Sequence, residues 1–346
     1  MKHPSRGRRG APTSRDVAAL AGVAQSTVSA AINGGPVAPD TKRRIEEAMR
    51  MLKYQPNAGA RTLRTNRTNA IAMVVHLEQQ DDAAETVPYI DSVVEIARRS
   101  DYDVVLSTLR EGVDGIARLA GRAICDGFLV MDVESHDARV GKLAELGVPA
   151  VLVGRPADPQ GLDVVDLDTR EAGRLLVDEL ADTGHRRVAM LAEPEEAERE
   201  YKFISDFVDG VRTRAAEREL TLDLIAVEDQ SWPGVQAAAD RLLGRADARL
   251  GLIARTPRVT QWFMNLLQLR GLIPGRDISV VSRCTDELAK SFAFPVSNVS
   301  PQPREMSRIA MEFLIERLGG SDVPARTVLV RPEPLVRRAS TAISPS

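Results

Sequence analysis

The chain is predicted to be an α/β protein, with a three-helix helix-turn-helix headpiece followed by a two-lobed core of doubly wound parallel sheets. Three observations carry this reading. Residues 1–67 hold 13 Lys/Arg against 4 Asp/Glu, a balance of +9, whereas the remainder holds 33 against 45, a balance of −12. Two short amphipathic patterns flank Gly22 and end at the breaker cluster Asn33-Gly34-Gly35-Pro36. From Asn69 onward, short apolar runs alternate with helical patterns, the signature of parallel strands covered on both faces by helices.

Composition excludes several classes before any motif is read. The chain has 346 residues, 43% of them hydrophobic, enough for more than one core. No apolar run approaches the roughly 18 residues of a membrane span, and residues 1–12 are basic, so they are expected to be a disordered tail and the protein soluble and cytoplasmic. Cys125 and Cys284 are far apart and neither belongs to a C-x-x-C pair. The histidines His3, His76, His136 and His185 share no metal-ligand spacing, and no phosphate loop, dinucleotide fingerprint or G-x-S-x-G is present. No enzyme activity, metal or cofactor is expected.

The basic head resolves into elements in order. Thr13 and Asp16 have capping-box spacing, and Val17, Leu20 and Ala21 recur at helical intervals, so a helix starts near Ser14 and stops at Gly22. A second helix runs from about Gln25 to Ile32. Its polar stripe is Gln25, Ser26, Ser29, Ala30 and Asn33, while Thr27, Val28 and Ala31 face the other way. A third helix begins at Pro39-Asp40 and carries Ile45, Ala48, Met49 and Leu52 on one side. A short polar helix face presented after a tight turn suits a DNA major groove. Residues 55–67 are basic and too short for a stable isolated helix, so composition alone reads them as a linker.

Residues 13–67 resemble the DNA-binding headpiece of the LacI/GalR family of bacterial transcription regulators. The resemblance rests on D-V-A-x-x-A-G-V, S-T-V-S, N-G, T-x-x-x-I and Y-x-P-N-x-x-A-R-x-L-R in that order. It continues more loosely in Val148 to Val153, Gly184-His185-Arg186-Arg187 and Ile278 to Val281. The resemblance implies a helix-turn-helix domain at 13–55 and a hinge at 56–68, of which 56–64 fold on operator DNA with Leu63 wedged into the minor groove. Gln25, Ser26, Ser29 and Asn33 are then the base-facing candidates, and Arg15, Lys42, Arg43, Arg61 and Arg64 the phosphate contacts. Thr13, Thr27, Tyr54 and Asn57 complete the set. Two features depart from the family's habit. Ala30 stands where a guanine-reading Arg is common, and Gly59 weakens the hinge helix by about 1 kcal/mol relative to Ala.

The acidic body continues as strand and helix in turn: 70–75, 89–99, 104–107, 116–123 and 127–131, then 148–153, 170–180, 187–191, 203–216 and 222–227. By resemblance it is a periplasmic-binding-protein-like core over 69–340. The N-lobe is expected at about 69–164 and 293–322, the C-lobe at about 165–292 and 323–340, with crossings near 164, 293 and 323. A homodimer would bind a palindromic operator, as a repressor in the family's usual mode, and a small effector would sit in the interlobe cleft. Arg155, Phe207, Thr256, Arg283 and Cys284 are the effector candidates. The family's hydroxyl-binding Arg and acids align with Phe207, Thr256-Pro257 and Cys284-Thr285, so the expected effector is not an ordinary neutral sugar. Arg155, Arg255 and Arg283 leave an anionic or partly apolar ligand open. The alternatives are a ligand-independent regulator with a purely dimerising core, a cytoplasmic ligand-binding protein, and a nonspecific architectural DNA binder.

Overall fold

The computed structural model describes residues 12–32, 35–54, 67–75, 77, 83–108, 111–244 and 250–341. The chain divides into two compact units, Met1–Thr68 and Asn69–Ser346.

The first unit contains α1 (Ser14–Ala21), α2 (Gln25–Ile32) and α3 (Pro39–Leu52). The capping pair is present: Asp16 Oδ2 accepts from Thr13 N and Thr13 Oγ1, each at 2.7 Å. Gly22 ends α1 at φ 65°, a left-handed conformation that glycine adopts without a Cβ penalty. Val17, Ala18, Ala21, Val28, Ile45 and Ala48 form the core. Leu20, read from the sequence as part of that stripe, is 49% exposed, and Ala18 takes its place. The helical spacing admits both residues, and Ala18 is the one packed in the three-helix core.

The second unit carries two all-parallel sheets. The first sheet uses β1 (Ala70–Val75), β2 (Asp103–Thr108), β3 (Gly127–Met131), β4 (Ala150–Val153), β5 (Asp163–Leu167) and β11 (Thr327–Val330), in the order β11-β5-β4-β3-β1-β2. The second uses β6 (Arg187–Ala192), β7 (Thr221–Ala226), β8 (Leu250–Ala254), β9 (Ile278–Arg283) and β10 (Ser297–Val299), in the order β10-β9-β8-β6-β7. The inner strands are buried on both faces, whereas the edge strands β2 and β7 alternate between exposed and half-buried positions.

On one face of the first sheet, Ile71, Met73 and Leu129 meet α4 (Ala83–Arg99) and α13 (Pro303–Leu318). On the other, Ala72, Phe128 and Leu152 meet α5 (Gly112–Gly121) and α6 (Ala138–Leu146). The second sheet is covered by α7 (Thr169–Asp182) and α9 (Lys202–Glu217) on one side. On the other side lie α10 (Trp232–Leu243) and α11 (Pro257–Leu269). Two short helices, α8 (Glu195–Glu200) and α12 (Asp286–Ser291), complete the core. No helix among the described residues is long and apolar enough to cross a membrane.

The three crossings between lobes differ from the expected positions. β5 extends to Leu167 in the first sheet, so the chain crosses at Asp168, not 164. β10 belongs to the second sheet, which moves the next crossing from 293 to 300–302, and β11 belongs to the first, which moves the last from 323 to 331–335. β10 is Ser297-Asn298-Val299, which is fully buried because its polar groups are satisfied. Asn298 Nδ2 donates to Cys284 O at 2.7 Å, and Ser297 N donates to Ser340 Oγ at 2.8 Å. A strand held by hydrogen bonds gives no hydrophobic period. After the third crossing, Val336 pairs with Asn298 and Arg337 binds Glu179 at 2.6 Å, which ties the terminal segment to the second lobe.

Candidate nucleic-acid interface and interlobe cavity

In the first unit, Val28 is buried and anchors α2, while Gln25 and Ser26 are exposed at its first turn. Gln25 Nε2 donates to Ser14 Oγ at 2.9 Å, and Arg15 Nε donates to Gln25 Oε1 at 3.4 Å. The N-termini of α1 and α2 thus share one polar surface, which also holds backbone N–H groups and Thr13. A helix N-terminus with exposed amide and hydroxyl side chains can donate to phosphate and meet base edges. Thr27 and Ser29 are half-buried beside this surface, and Lys42 and Arg43 are exposed on α3, with Arg43 paired to Asp40 at 2.8 Å. Tyr54 packs partly against the three-helix core. Asn33, Asn57, Arg61, Leu63 and Arg64, and with them the proposed hinge helix, lie outside the described residues.

In the second unit, a cavity of about 200 Å³ opens between the lobes. Glu85, Thr86 and Tyr89 reach it from α4, Asp132 and Asp166 from the ends of β3 and β5, and Phe203 from the start of α9. Arg255, Thr256 and Arg283 come from the ends of β8 and β9, and Gln230 precedes α10. The carboxyl ends of parallel strands leave such crevices because the chain turns away to helices on opposite faces.

Both cavity guanidinium groups are buried and already matched by acids. Arg283 pairs with Glu85 of the opposite lobe, and Arg255 pairs with Glu193 of its own lobe while lying 5.5 Å from the Phe203 ring centroid. Burial pushes the Glu85 carboxyl up, but Arg283 and then Arg255 pull it down and prevail, so it stays below the usual range and charged. Among the described residues, Arg283 Nε and Glu193 Oε2 are buried without a hydrogen-bond partner. Thr256 Oγ1 donates to Gln230 Oε1 at 3.0 Å, and Tyr89 donates to Pro301 O at 3.3 Å.

Asp166 behaves differently. Burial pushes its carboxyl up to about 7, outweighing the attraction of Arg155 at 4.0 Å and the bond accepted from Leu167 N at 2.9 Å. Burial thus makes Asp166 a weaker acid than an ordinary carboxyl at the cavity wall.

The effector candidates divide. Arg283 and Thr256 line the cavity. Arg155 lies behind it, paired with Asp206 across the lobes. Phe207 is fully buried in the second lobe's core, because α7 and α9 cross so closely that a Cβ on Gly173 would sit 2.7 Å from Phe207 O. Phe203, one turn earlier on α9, lines the cavity together with the Tyr89 ring. Cys284 is also fully buried, its thiol pushed up to about 12 by burial, and it is Arg283 beside it that faces the cleft. The expectation against a neutral sugar takes Phe207, Thr256-Pro257 and Cys284-Thr285 as the cleft residues; Thr256 does line the cavity, whereas Phe207 and Cys284 are buried away from it. Asp132 and Asp166 carried an available signal, acids at the ends of apolar strand runs. Glu85 carried none, since α4 begins well before the apolar pattern that starts at Tyr89 and its first turns are largely exposed.

Residues 13–57 match the family described as bacterial regulatory proteins, lacI family, and residues 177–341 match a periplasmic binding protein-like domain. The chain is 31% identical over 334 residues to the HTH-type transcriptional regulator CelR of Thermobifida fusca, covering 93% of this chain and 96% of that one. It is 28% identical over 333 residues to the HTH-type transcriptional repressor PurR of Vibrio cholerae, covering 93% and 96%. Among solved structures, the CelR–cellobiose complex matches at 27% identity with a TM-score of 0.68, covering 95% of this chain and 99% of that one. The lac repressor dimer bound to operator and the anti-inducer ONPF has a TM-score of 0.80 at 21% identity, over 96% and 99% of the two chains, a likeness of fold.

Proposed function

This chain belongs to the lacI family of bacterial regulatory proteins, and from that premise we propose that it represses transcription as a homodimer on a palindromic operator, under control of a small neutral ligand in the interlobe cavity. The observation that carries the DNA half is the first turn of α2, where Gln25 and Ser26 stand exposed beside Arg15 while Val28 fixes the helix. Two such helices related by a two-fold axis read an inverted repeat. The protein works by binding, without catalysis, in the cytoplasm where its operator lies.

Charge balance in the cavity supports a neutral, polyhydroxylated ligand. Arg255 and Arg283 are each matched by a glutamate, and Asp132 and Asp166 add further acid. An incoming anion meets more negative than positive charge. A hydroxyl both donates and accepts, which suits the spare donor on Arg283 and the carboxylates of Asp132 and Glu85, and Phe203 offers an apolar wall to a sugar ring's C–H face. The CelR relative's complex with cellobiose supports the same chemistry.

The test is a thermal-shift screen of neutral mono- and disaccharides, cellobiose included, beside sugar phosphates and aromatic acids, followed by operator release. A neutral saccharide that stabilises the core and changes operator affinity supports the reading. Stabilisation by anions alone contradicts it.

A further inference from the structure

We propose that Glu85 sets the ligand selectivity of the cavity: by pairing with Arg283 across the cleft, it ties the lobes together without ligand and keeps acidic ligands off the guanidinium. This rests on the reading of the cavity as an effector site.

Glu85 comes from α4 in the first lobe, and Arg283 from the end of β9 in the second. Other cross-lobe ties, Arg155 with Asp206 and Ser135 N–H to Glu200 O at 2.7 Å, involve residues that do not line the cavity. The Glu85–Arg283 tie is therefore one that a ligand meets directly. Arg255, the other lining cation, is matched by Glu193 from its own lobe, so its neutralisation does not depend on how the lobes stand.

Arg283 is 5% exposed. A buried guanidinium deprived of its acid is strongly unfavourable, and a planar carboxylate or phosphate satisfies it through paired N–H donors. Glu85 holds that place. An acidic ligand has to displace Glu85 and separate two charges, whereas a neutral ligand can bond to the intact pair. Asp132 and Asp166, which line the same cavity, reinforce the exclusion, and among the lining residues Arg255, held by Glu193, opposes it.

The experiment uses the full-length protein, Glu85→Gln, the single variants Glu85→Arg and Arg283→Glu, and the charge swap that combines the last two. The probes are D-glucuronate and inorganic phosphate, with chloride at matched ionic strength as control. Calorimetric binding and the core's thermal transition are followed. Glu85→Gln is expected to melt lower than wild type and to bind D-glucuronate or phosphate at least about tenfold more tightly than wild type does. The swap is expected to recover most of the lost melting temperature. Equal anion binding by wild type and Glu85→Gln, or a swap that melts no higher than its single variants, overturns the proposal. Should Glu85→Gln fail to fold, the swap decides alone. A wild type that binds no neutral saccharide removes the neutral-ligand reading, yet leaves the anion response of Glu85→Gln to stand or fall separately.

Discussion

Phe203 and Phe207 lie one helical turn apart on α9, and that turn separates a cavity wall from a core anchor. Phe207→Ala is expected to destabilise the core by about 3–5 kcal/mol in denaturant titration, the usual cost of truncating a buried ring. Phe203→Ala should leave stability closer to wild type and remove the ligand-induced thermal shift. The reverse pattern contradicts the assignment. Asp166 makes a second residue-level case. Its folded value of about 7 lies above the ordinary 3.8, so the native state binds the extra proton and its stabilising effect is complete below about 3.8 and lost as pH rises through about 7. Asp166→Asn should therefore match wild type near pH 4 and exceed it in stability by up to about 4 kcal/mol above pH 7, since each tenfold change in proton affinity is worth about 1.4 kcal/mol. Equal pH profiles refute this. Sequence order reached the neighbourhood of these residues but not their facing, because aligned position fixes neither which side of a helix is buried nor which of Arg283 and Cys284 points to the cleft.

At the scale of elements, legibility followed chemistry that is local. The Thr13–Asp16 cap, the stop at Gly22 and the Pro39 start are written in adjacent residues, and α1 to α3 fall where those residues place them. The apolar strands β1, β3 and β9 are equally plain. β10 was hidden because hydrogen bonds to Cys284 and Ser340 replace side-chain hydrophobicity, and the lobe crossings shifted with it. The crossing of α7 and α9 was also hidden, since it depends on two glycines 37 positions apart, Gly173 and Gly210. A Cβ on Gly210 would sit 2.1 Å from Arg170 O, backbone that cannot swing aside. Gly210→Ala should cost about 1–3 kcal/mol or more by forcing the helices apart. Thermal or denaturant unfolding checks it, and a neutral outcome would show that the crossing is loose.

Across the whole molecule, the charge division between a +9 head and a −12 body says where nucleic acid is to be met. The cationic residues supply phosphate contacts, and the acidic body discourages nonspecific wrapping. Operator affinity should therefore fall steeply with salt, by about 10³-fold or more between 50 and 200 mM if a dimer makes six or more phosphate contacts. A binding titration over that range checks it, and a flat profile contradicts it.

Operator recognition is measured by selection of bound duplexes from a random library by the full-length protein, with anisotropy titration of the winner beside scrambled duplex. An enriched inverted repeat is expected, bound about 10³-fold or more tightly than scrambled sequence. Gln25→Ala with Ser26→Ala is expected to relax that preference while leaving the core's melting temperature unchanged. No enriched repeat, or equal affinity for scrambled duplex, would contradict it.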